Sequence, residues 1–442
     1  MRYGSILAWL AVGCADAGKG TPGDHVDGDA DTDTDSDADS DADTDSDADT
    51  DVTDSGDTDT DTGGTDTGPG SLLAGADVEV AVGTCVALHE FSGGGGDRLG
   101  QLVSSAGDAD GDGAADLAVF SGGGGTLAVR TADGQVLDAL LLAATETVRG
   151  VQPAGDLDDD GVVDLLVRIT ANPNPGSVDP PSRLVSGATM AELASLSPTT
   201  WAAAAIDDQT GDGLRDLAVG VDAAVSYTDA STGTRIGGFL LGTDGPHGLV
   251  DVGGGAVAVA GVGSVDVFET DGALRLSYGV TGVGAVVAVD GPDLVYGDDG
   301  AAPHGVARRS SSVTPADAWQ DAWLFDDVNL DDHDVGMGYG RVIAPVGDWN
   351  ADGADELAVA GPHASGDPNG FGGVVRVLDG QTGAVVVELR EHVLAGLGAQ
   401  LGGSLGAIPD EDGDGVPELV IGLPNAGAAA NGAVAVLACQ GP

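Results

Sequence analysis

Residues 108–116 read Asp-Ala-Asp-Gly-Asp-Gly-Ala-Ala-Asp, and an apolar run, Leu-Ala-Val-Phe, follows directly at residues 117–120. Carboxylates therefore stand at positions 1, 3, 5 and 9, with glycine at position 6. Alternate side chains on a tight loop can converge on one cation, and the glycine allows the sharp turn that this requires. Calcium takes about six to eight oxygen ligands, so the carboxylates, the backbone carbonyl of position 7 and water would complete its shell. The segment predicts a calcium-binding loop that leads into a β-strand.

The same pattern recurs at residues 156–164, 208–216, 348–356 and 410–418, each time followed by an apolar run. These five segments are loops 1 to 5 in chain order, and they predict about five structural calcium ions. Loop 3 is expected to be the weakest site, because Thr210 replaces a carboxylate there. The predicted ligands, at positions 1, 3, 5, 7 and 9 of each loop, are Asp108, Asp110, Asp112, Ala114, Asp116, Asp156, Asp158, Asp160, Val162, Asp164, Asp208, Thr210, Asp212, Leu214, Asp216, Asp348, Asn350, Asp352, Ala354, Glu356, Asp410, Asp412, Asp414, Val416 and Glu418.

The EF-hand is the alternative calcium motif, and position 12 excludes it. An EF-hand loop needs a bidentate glutamate at that position. All five loops carry an apolar residue there instead: Val119, Val167, Val219, Val359 and Ile421. No helical periodicity flanks the loops either.

The composition of the 442-residue chain restricts its partners. It has 15 basic and 73 acidic residues, a formal net charge of −58. Nucleic acids and anionic lipid surfaces need positive charge and are excluded as partners. Aromatic residues make up only 4%, and the 76 glycines favour many short strands and tight turns. No apolar run reaches the roughly 18 residues that a spanning helix needs.

The N-terminus predicts export. Residues 1–13 read as a lipoprotein signal peptide with a short apolar core, and Ala-Val-Gly-Cys at residues 11–14 resembles a bacterial lipobox. Cys14 would then carry the lipid, and Ala15 after it resembles outer-membrane sorting in Gram-negative lipoproteins. The alternative is ordinary signal-peptidase cleavage after Ala17, which would give a secreted protein. Either route places the protein outside the cytoplasm, in contact with a membrane only through the N-terminal lipid.

A low-complexity segment follows at residues 14–70. Aspartate alternates there with Thr, Ser, Ala and Gly, and residues 24–66 contain neither lysine nor arginine. Like charges at this density repel one another and nothing can form a core, so the segment predicts a disordered, solvated tether.

The remaining residues, 71–442, are predicted to fold as one repeat domain. The loops are spaced by roughly 50–60 residues, except for a wide gap between loops 3 and 4. Two degraded copies, near Asp251 and Asp290, keep the turn and the following strand but lack the ligands. Seven units of this length, each with several short strands, predict an all-β fold, a seven-bladed β-propeller with calcium-binding loops.

Further motifs resemble the FG-GAP, or integrin α-chain, propeller repeat. Aromatic-Gly or Leu-Gly pairs precede the loops at residues 99–100, 339–340 and 401–402, and glycine- and proline-containing exits follow at 360–362 and 422–424. The resemblance covers roughly residues 72–442 and is weak between about 221 and 317. It implies a calcium-stabilised module of cell adhesion that binds an extracellular protein or glycan through loops on one face.

Signals of catalysis are weak. Residues 402–406 read Gly-Gly-Ser-Leu-Gly, but they lead into loop 5 rather than joining a strand to a helix, as a nucleophile elbow should. The histidines show no zinc-ligand spacing. The sequence therefore favours a non-enzymatic binding module. A carbohydrate-binding propeller lectin is the alternative, although low aromatic content counts against sugar stacking.

The least repeat-like stretch surrounds Trp319, Trp323 and Phe325, which stand among many aspartates. Two interpretations remain open for it. The three aromatic residues fill the core of a long blade, or they form a loop that binds a protein or glycan partner.

Ring closure predicts a disulfide between Cys85 and Cys439. The last unit ends before its outer strand, and residues 78–89 belong to no unit of their own. The strand around Cys85 can fill the vacant place beside the strand that ends near Cys439. An oxidising, extracytoplasmic setting would then join the two cysteines.

Overall fold

The computed structural model describes most of the predicted repeat domain. The signal peptide, Cys14, the tether and Trp319 lie outside the described residues. All regular structure within the described residues is β-strand. Nowhere in that part of the chain is there a helix long and apolar enough to cross a membrane. The described residues are 78–143, 146–158, 160, 162, 164–171, 180–197, 200–241, 248–261, 263–282, 286–289, 293–298, 306–311, 323–326, 339–362, 373–391, 398–427 and 429–441.

The strands pair into seven antiparallel sheets among the described residues, numbered here in chain order. Two strands precede the first sheet: β1 (Val78–Val82) and β2 (Thr84–Ser92). Sheet 1 contains β3 (Leu99–Gly107), β4 (Asp116–Ser121), β5 (Thr126–Arg130) and β6 (Val136–Leu140). Sheet 2 contains β7 (Glu146–Gly155), β8 (Asp164–Ala171), β9 (Arg183–Val185) and β10 (Glu192–Ser195). Sheet 3 contains β11 (Thr200–Ile206), β12 (Asp216–Val221), β13 (Ala224–Asp229) and β14 (Thr234–Leu240).

The remaining sheets repeat this up-and-down order. Sheet 4 contains β15 (Gly248–Gly253), β16 (Ala256–Gly261), β17 (Ser264–Phe268) and β18 (Leu274–Gly279). Sheet 5 contains β19 (Val286–Val289), β20 (Asp293–Asp298), β21 (Val306–Ser311) and β22 (Trp323–Asp326). Sheet 6 contains β23 (Val342–Gly347), β24 (Glu356–Gly361), β25 (Val374–Leu378) and β26 (Val385–Glu391), and sheet 7 contains β27 (Ser404–Ile408), β28 (Glu418–Leu423) and β29 (Ala433–Gln440).

The first strands of the sheets form a closed ring. Strand β3 contacts β7, and the contacts continue through β11, β15, β19 and β23 to β27, which returns to β3. The apolar core lies between neighbouring sheets, as in the cluster of Val103 and Val119 of sheet 1 with Val420 and Val436 of sheet 7. The second strands are mostly apolar because both of their faces are covered, and every residue of β4, β24 and β28 is buried, including the acidic residue that begins each of them.

The N-terminal strands complete the last two sheets. Strand β2 pairs with β29, so that Cys85 lies opposite Cys439. The predicted disulfide joins these residues, whose Cα atoms are 4.1 Å apart. Strand β1 pairs instead with β26 and gives sheet 6 a fifth strand. The predicted placement of the Cys85 strand beside the last unit is therefore confirmed, and the sequence had assigned no sheet to β1.

Both degraded copies form four-stranded sheets, 4 and 5, although their loops lack the ligand pattern. Trp323 and Phe325 lie in β22, the outer strand of sheet 5, rather than in a loop. Whether these two residues bind a partner stays a prediction.

Candidate metal-binding loops

Each of the five loops joins the first strand of its sheet to the second, and its last carboxylate is buried. Position 9 is the first residue of the second strand and is at most 1% exposed in every loop. Its carboxylate accepts a hydrogen bond from the backbone N–H of position 2. The donor–acceptor pairs are Ala109 to Asp116 (2.7 Å), Leu157 to Asp164 (2.7 Å), Gln209 to Asp216 (2.6 Å), Trp349 to Glu356 and Glu411 to Glu418 (2.8 Å).

Backbone N–H groups also orient the exposed carboxylates. The position-1 aspartate accepts a hydrogen bond from the glycine N–H of position 6 in loops 1, 3, 4 and 5, at 2.8–3.0 Å. The position-5 aspartate accepts one from the N–H of position 7 in all five loops, at 2.8–2.9 Å. These bonds hold like charges together on one side of each loop and arrange their oxygens before any cation arrives.

Carboxylates converge most closely in three loops. Ligand oxygens from positions 1, 3 and 9 lie within 4.8 Å of one another in the groups Asp108, Asp110 and Asp116; Asp156, Asp158 and Asp164; and Asp410, Asp412 and Glu418. Loops 3 and 4 have Thr210 and Asn350 at position 3 and so contribute fewer carboxylates there.

The donor set fits a hard divalent cation. Glu356 Oε1 and Glu418 Oε2 are buried and accept no hydrogen bond, while the second oxygen of each carboxylate is bonded to the backbone. A buried carboxylate oxygen without a partner is costly, and a cation would satisfy it. All side-chain donors at positions 1, 3, 5 and 9 are oxygens, the ligands that calcium prefers. An ion bound there would cross-link the turn that leads into the second strand.

Burial raises the pKa of the position-9 carboxylates in the metal-free protein. The pKa of Glu356 rises from 4.5 to about 7, mainly through burial, although the hydrogen bond from Trp349 opposes the rise. The pKa of Asp164 rises from 3.8 to about 6 for the same principal reason. Neighbouring carboxylates add to both shifts. A cation that stabilises the charged forms would reverse them.

The raised pKa values predict that the metal-free protein is more stable at pH 5 than at pH 7.5. The folded state binds these protons more tightly than the unfolded chain does, so protonation stabilises the fold. This contribution is complete below the ordinary pKa values and is lost as the pH rises through about 6 for Asp164 and about 7 for Glu356. Melting temperatures in chelator across this range measure the effect. Many other carboxylates of this acidic chain can also change stability over this pH range. Comparison of the wild type with the Glu356→Gln variant therefore isolates the contribution of loop 4 to the pH dependence of the melting temperature. A variant with the same pH slope as the wild type would contradict the assignment.

Position 4 needs a left-handed backbone, a requirement that the sequence pattern missed. Gly111, Gly211 and Gly413 have φ values of 78°, 79° and 83° at this position, and Ala351 has 58°. The recurrence of glycine at position 4 in three loops was the available signal.

Replacing Ala351 with glycine should therefore stabilise the protein by about 0.5–1 kcal/mol, because relief of left-handed strain exceeds the added freedom of the unfolded chain. Gly111→Ala is the matched control and should destabilise by a similar amount, because a Cβ there meets nothing within 4 Å and only the conformation is penalised. Denaturant unfolding in calcium measures both. If both variants changed the free energy of unfolding in the same direction, this explanation would be refuted.

In sheet 4 an arginine side chain neutralises the carboxylate that remains in the degraded loop. Asp251, the first residue of the degraded loop, forms an ion pair with Arg215, Oδ2 to Nη2 3.3 Å, and accepts a hydrogen bond from the N–H of Gly253. The guanidinium neutralises a carboxylate that no longer belongs to a metal-ligand pattern.

A cavity of about 370 Å³ lies between loops 4 and 5. Its lining residues include Trp349, Asn350, Asp414 and Gln440. The Trp349 ring is fixed, since its Nε1 donates to the carbonyl of Val346 at 2.8 Å. Gln440 Nε2 donates to Asp414 Oδ2 at 3.2 Å and ties the end of β29 to loop 5.

Comparison with solved structures shows the fold. Two crystal structures of BBS1N in complex with ARL6DN, one soaked with lead and the other with mercury, are similar to this chain, with TM-scores of 0.50 and 0.53. The identity is 12% in both, and the matches cover 82% of this chain and 97% and 98% of the matched chains. The fold is a β-propeller. No protein-family model matches the sequence, and no curated protein matches it.

Proposed function

We propose that this chain is a non-enzymatic binding module, a seven-bladed propeller whose five loops hold structural calcium. The observation that carries the proposal is the repetition of one hydrogen-bond arrangement in five loops that each connect the first two strands of a sheet. Side chains so similar at five places serve the architecture, since a catalytic site needs one specialised constellation. BBS1N, which shares the fold, was crystallised in complex with ARL6DN, so a propeller of this kind can bind a protein.

The resemblance to FG-GAP repeats extends this proposal to adhesion. A lipid on Cys14 would anchor the chain at the outer membrane, and residues 14–70 would hold the propeller away from it. Cleavage after Ala17 would release the same module into the medium. The partner in both cases is an extracellular protein or glycan.

The test is binding by the calcium-loaded full chain to arrays of extracellular proteins and of glycans. Calcium-free protein in chelator is the control, since the proposed ions shape the loops between the strands. Saturable binding to one partner that requires calcium would support the proposal. Turnover of a substrate by the purified protein, or calcium-independent binding everywhere, would contradict it.

The cavity between loops 4 and 5 favours carbohydrate as the second candidate ligand. It combines one fixed indole with amide and carboxylate groups, the chemistry that stacks on a sugar ring and bonds its hydroxyls. Trp349→Ala should then abolish glycan binding while binding to protein partners persists. Glycan binding that is unaffected by this change would exclude the cavity as the sugar site.

A further inference from the structure

Loops 3 and 4 lack a carboxylate at position 3, and the adjacent turn carries one. In sheet 6, Leu357 of β24 pairs with Leu378 of β25, so the preceding residue Glu356 lies beside Asp379. In sheet 3, Leu217 pairs with Thr228, so Asp216 lies beside Asp229. The third strand therefore brings an aspartate next to the buried carboxylate of each deficient loop.

One turn holds both of these aspartates. Residues 229–233 and 379–383 each read Asp-x-x-Thr-Gly, and the glycine N–H donates to the aspartate carbonyl at 2.8 Å in both. The threonine N–H donates to the aspartate Oδ1, at 3.1 Å in sheet 3 and 2.6 Å in sheet 6. The turn engages Oδ1, and Asp379 Oδ2 points toward loop 4.

In the other three sheets with an intact loop, position 3 of the loop is aspartate and the residue opposite position 9 is uncharged. Ser186 of sheet 2 begins a turn of the same design, in which the N–H of Met190 donates to the Ser186 carbonyl at 2.9 Å. Its loop has Asp158 at position 3. The corresponding residues of sheets 1 and 7 are Thr131 and Ala438, and their loops also have aspartate at position 3. Each loop thus has four carboxylates when positions 1, 3, 5 and 9 are counted together with the single residue opposite position 9.

Contacts in loop 4 connect the extra carboxylate to the site. Asn350 Nδ2 donates to Asp379 Oδ2 at 3.0 Å, and Asn350 Oδ1 accepts the N–H of Asp352 at 2.9 Å. Glu356 Oε1 is buried without a hydrogen-bond partner in the same loop. In loop 3, Ser231 Oγ bridges Asp229 Oδ1 (2.7 Å) and Asp212 Oδ2 (3.2 Å).

We propose that Asp379 supplies the fourth negative charge of the cation site in loop 4, in place of the carboxylate that Asn350 lacks. The inference rests on the proposed calcium binding and assigns to it a residue outside the loop pattern.

Terbium luminescence can test loop 4 separately from the other loops. Trp349 occupies position 2 of loop 4, so excitation of its indole should sensitise a terbium ion bound there. The Trp349→Phe variant identifies the emission that depends on this indole. Because Asp414 of loop 5 lines the same cavity as Trp349, the measurements are made in an Asp414→Ala background, which weakens the site in loop 5. Calcium competition against this emission, in the full chain, then gives the calcium affinity of the loop.

Asp379→Ser should lower the affinity of loop 4 by about tenfold, because affinity follows the number of ligand charges. Serine begins the same turn in sheet 2, so the turn should persist, and Asp379→Asn serves as a second neutral variant. Adding Asn350→Asp to either variant should restore the affinity to within about twofold of the wild type. In the wild-type background, Asn350→Asp alone supplies the fifth charge and should not weaken binding.

Unchanged affinity in both neutral variants would overturn the inference, and so would failure of Asn350→Asp to restore it, since that outcome means that Asp379 acts only on the turn. Failure of the proposed calcium binding gives a different result. Wild-type protein would then show no emission that both depends on Trp349 and is displaced by calcium.

Discussion

Removal of calcium should lower the melting temperature of the protein by roughly 15–25 °C. Each occupied loop at a calcium concentration of a hundred times its dissociation constant contributes about 2.7 kcal/mol, and a domain of this size shifts by about 1–2 °C per kcal/mol. Without the ion, the carboxylates of each loop repel one another, and the buried Oε1 of Glu356 has no hydrogen-bond partner. The effect should be large because five loops lose their cation together.

Thermal unfolding in excess chelator, followed by restoration with calcium, measures this effect. Asp112→Ala affects one loop only and should cost much less than removal of all calcium. Sheet 4 gives an internal control, since it carries no intact loop. Amide exchange should increase in loops 1 to 5 and remain unchanged in β17 and β18; the turn after Asp251 is not used, because an ion pair connects Asp251 to Arg215 of loop 3. Identical melting curves with and without chelator would contradict the structural role of the loops.

Local patterns predicted the parts of the fold that repeat. The nine-residue loop followed by an apolar run marks the connection between the first and second strands of five sheets, because both features depend on neighbouring residues alone. The degraded copies near Asp251 and Asp290 were recognisable by the retained turn or strand, and both correspond to four-stranded sheets. The Cys85–Cys439 disulfide followed from counting strands in the last unit.

Features that depend on contacts distant in sequence were missed. Strand β1 could complete either of two sheet edges, and only the packed ring places it beside β26. Asp229 and Asp379 lie 13 and 23 residues after position 9 of their loops, as their numbers and those of Asp216 and Glu356 show, and only the strand register brings them together. The left-handed φ of Ala351 is a local feature that alanine itself does not indicate; only the glycines at position 4 of loops 1, 3 and 5 indicated it.

Removing the disulfide should give the second-largest loss of stability. Cys85 and Cys439 are separated by 354 positions, and the chain-entropy model gives roughly 6 kcal/mol, as an upper bound, for closing so long a loop. The double variant Cys85→Ala/Cys439→Ala avoids a single free thiol that could pair with Cys14. Its midpoint of denaturant unfolding in calcium should be lower than that of the wild type. Reductant should lower the midpoint of the wild type and leave the midpoint of the variant unchanged.

Removal of the disulfide should first destabilise the strands that close the ring, β2 and β29. Strand β2 is held by pairing with β29, by the disulfide, and by a 2.7 Å hydrogen bond between His89 Nε2 and Glu411 Oε1. Without the disulfide, amide exchange should increase first in β2 and β29, and then in loop 5, which Gln440 joins to the end of β29. Strand β14 is the matched control, because a short turn connects it to its partner β13. Equal exchange in β2 of the two proteins, together with equal unfolding midpoints, would show that backbone pairing alone closes the ring.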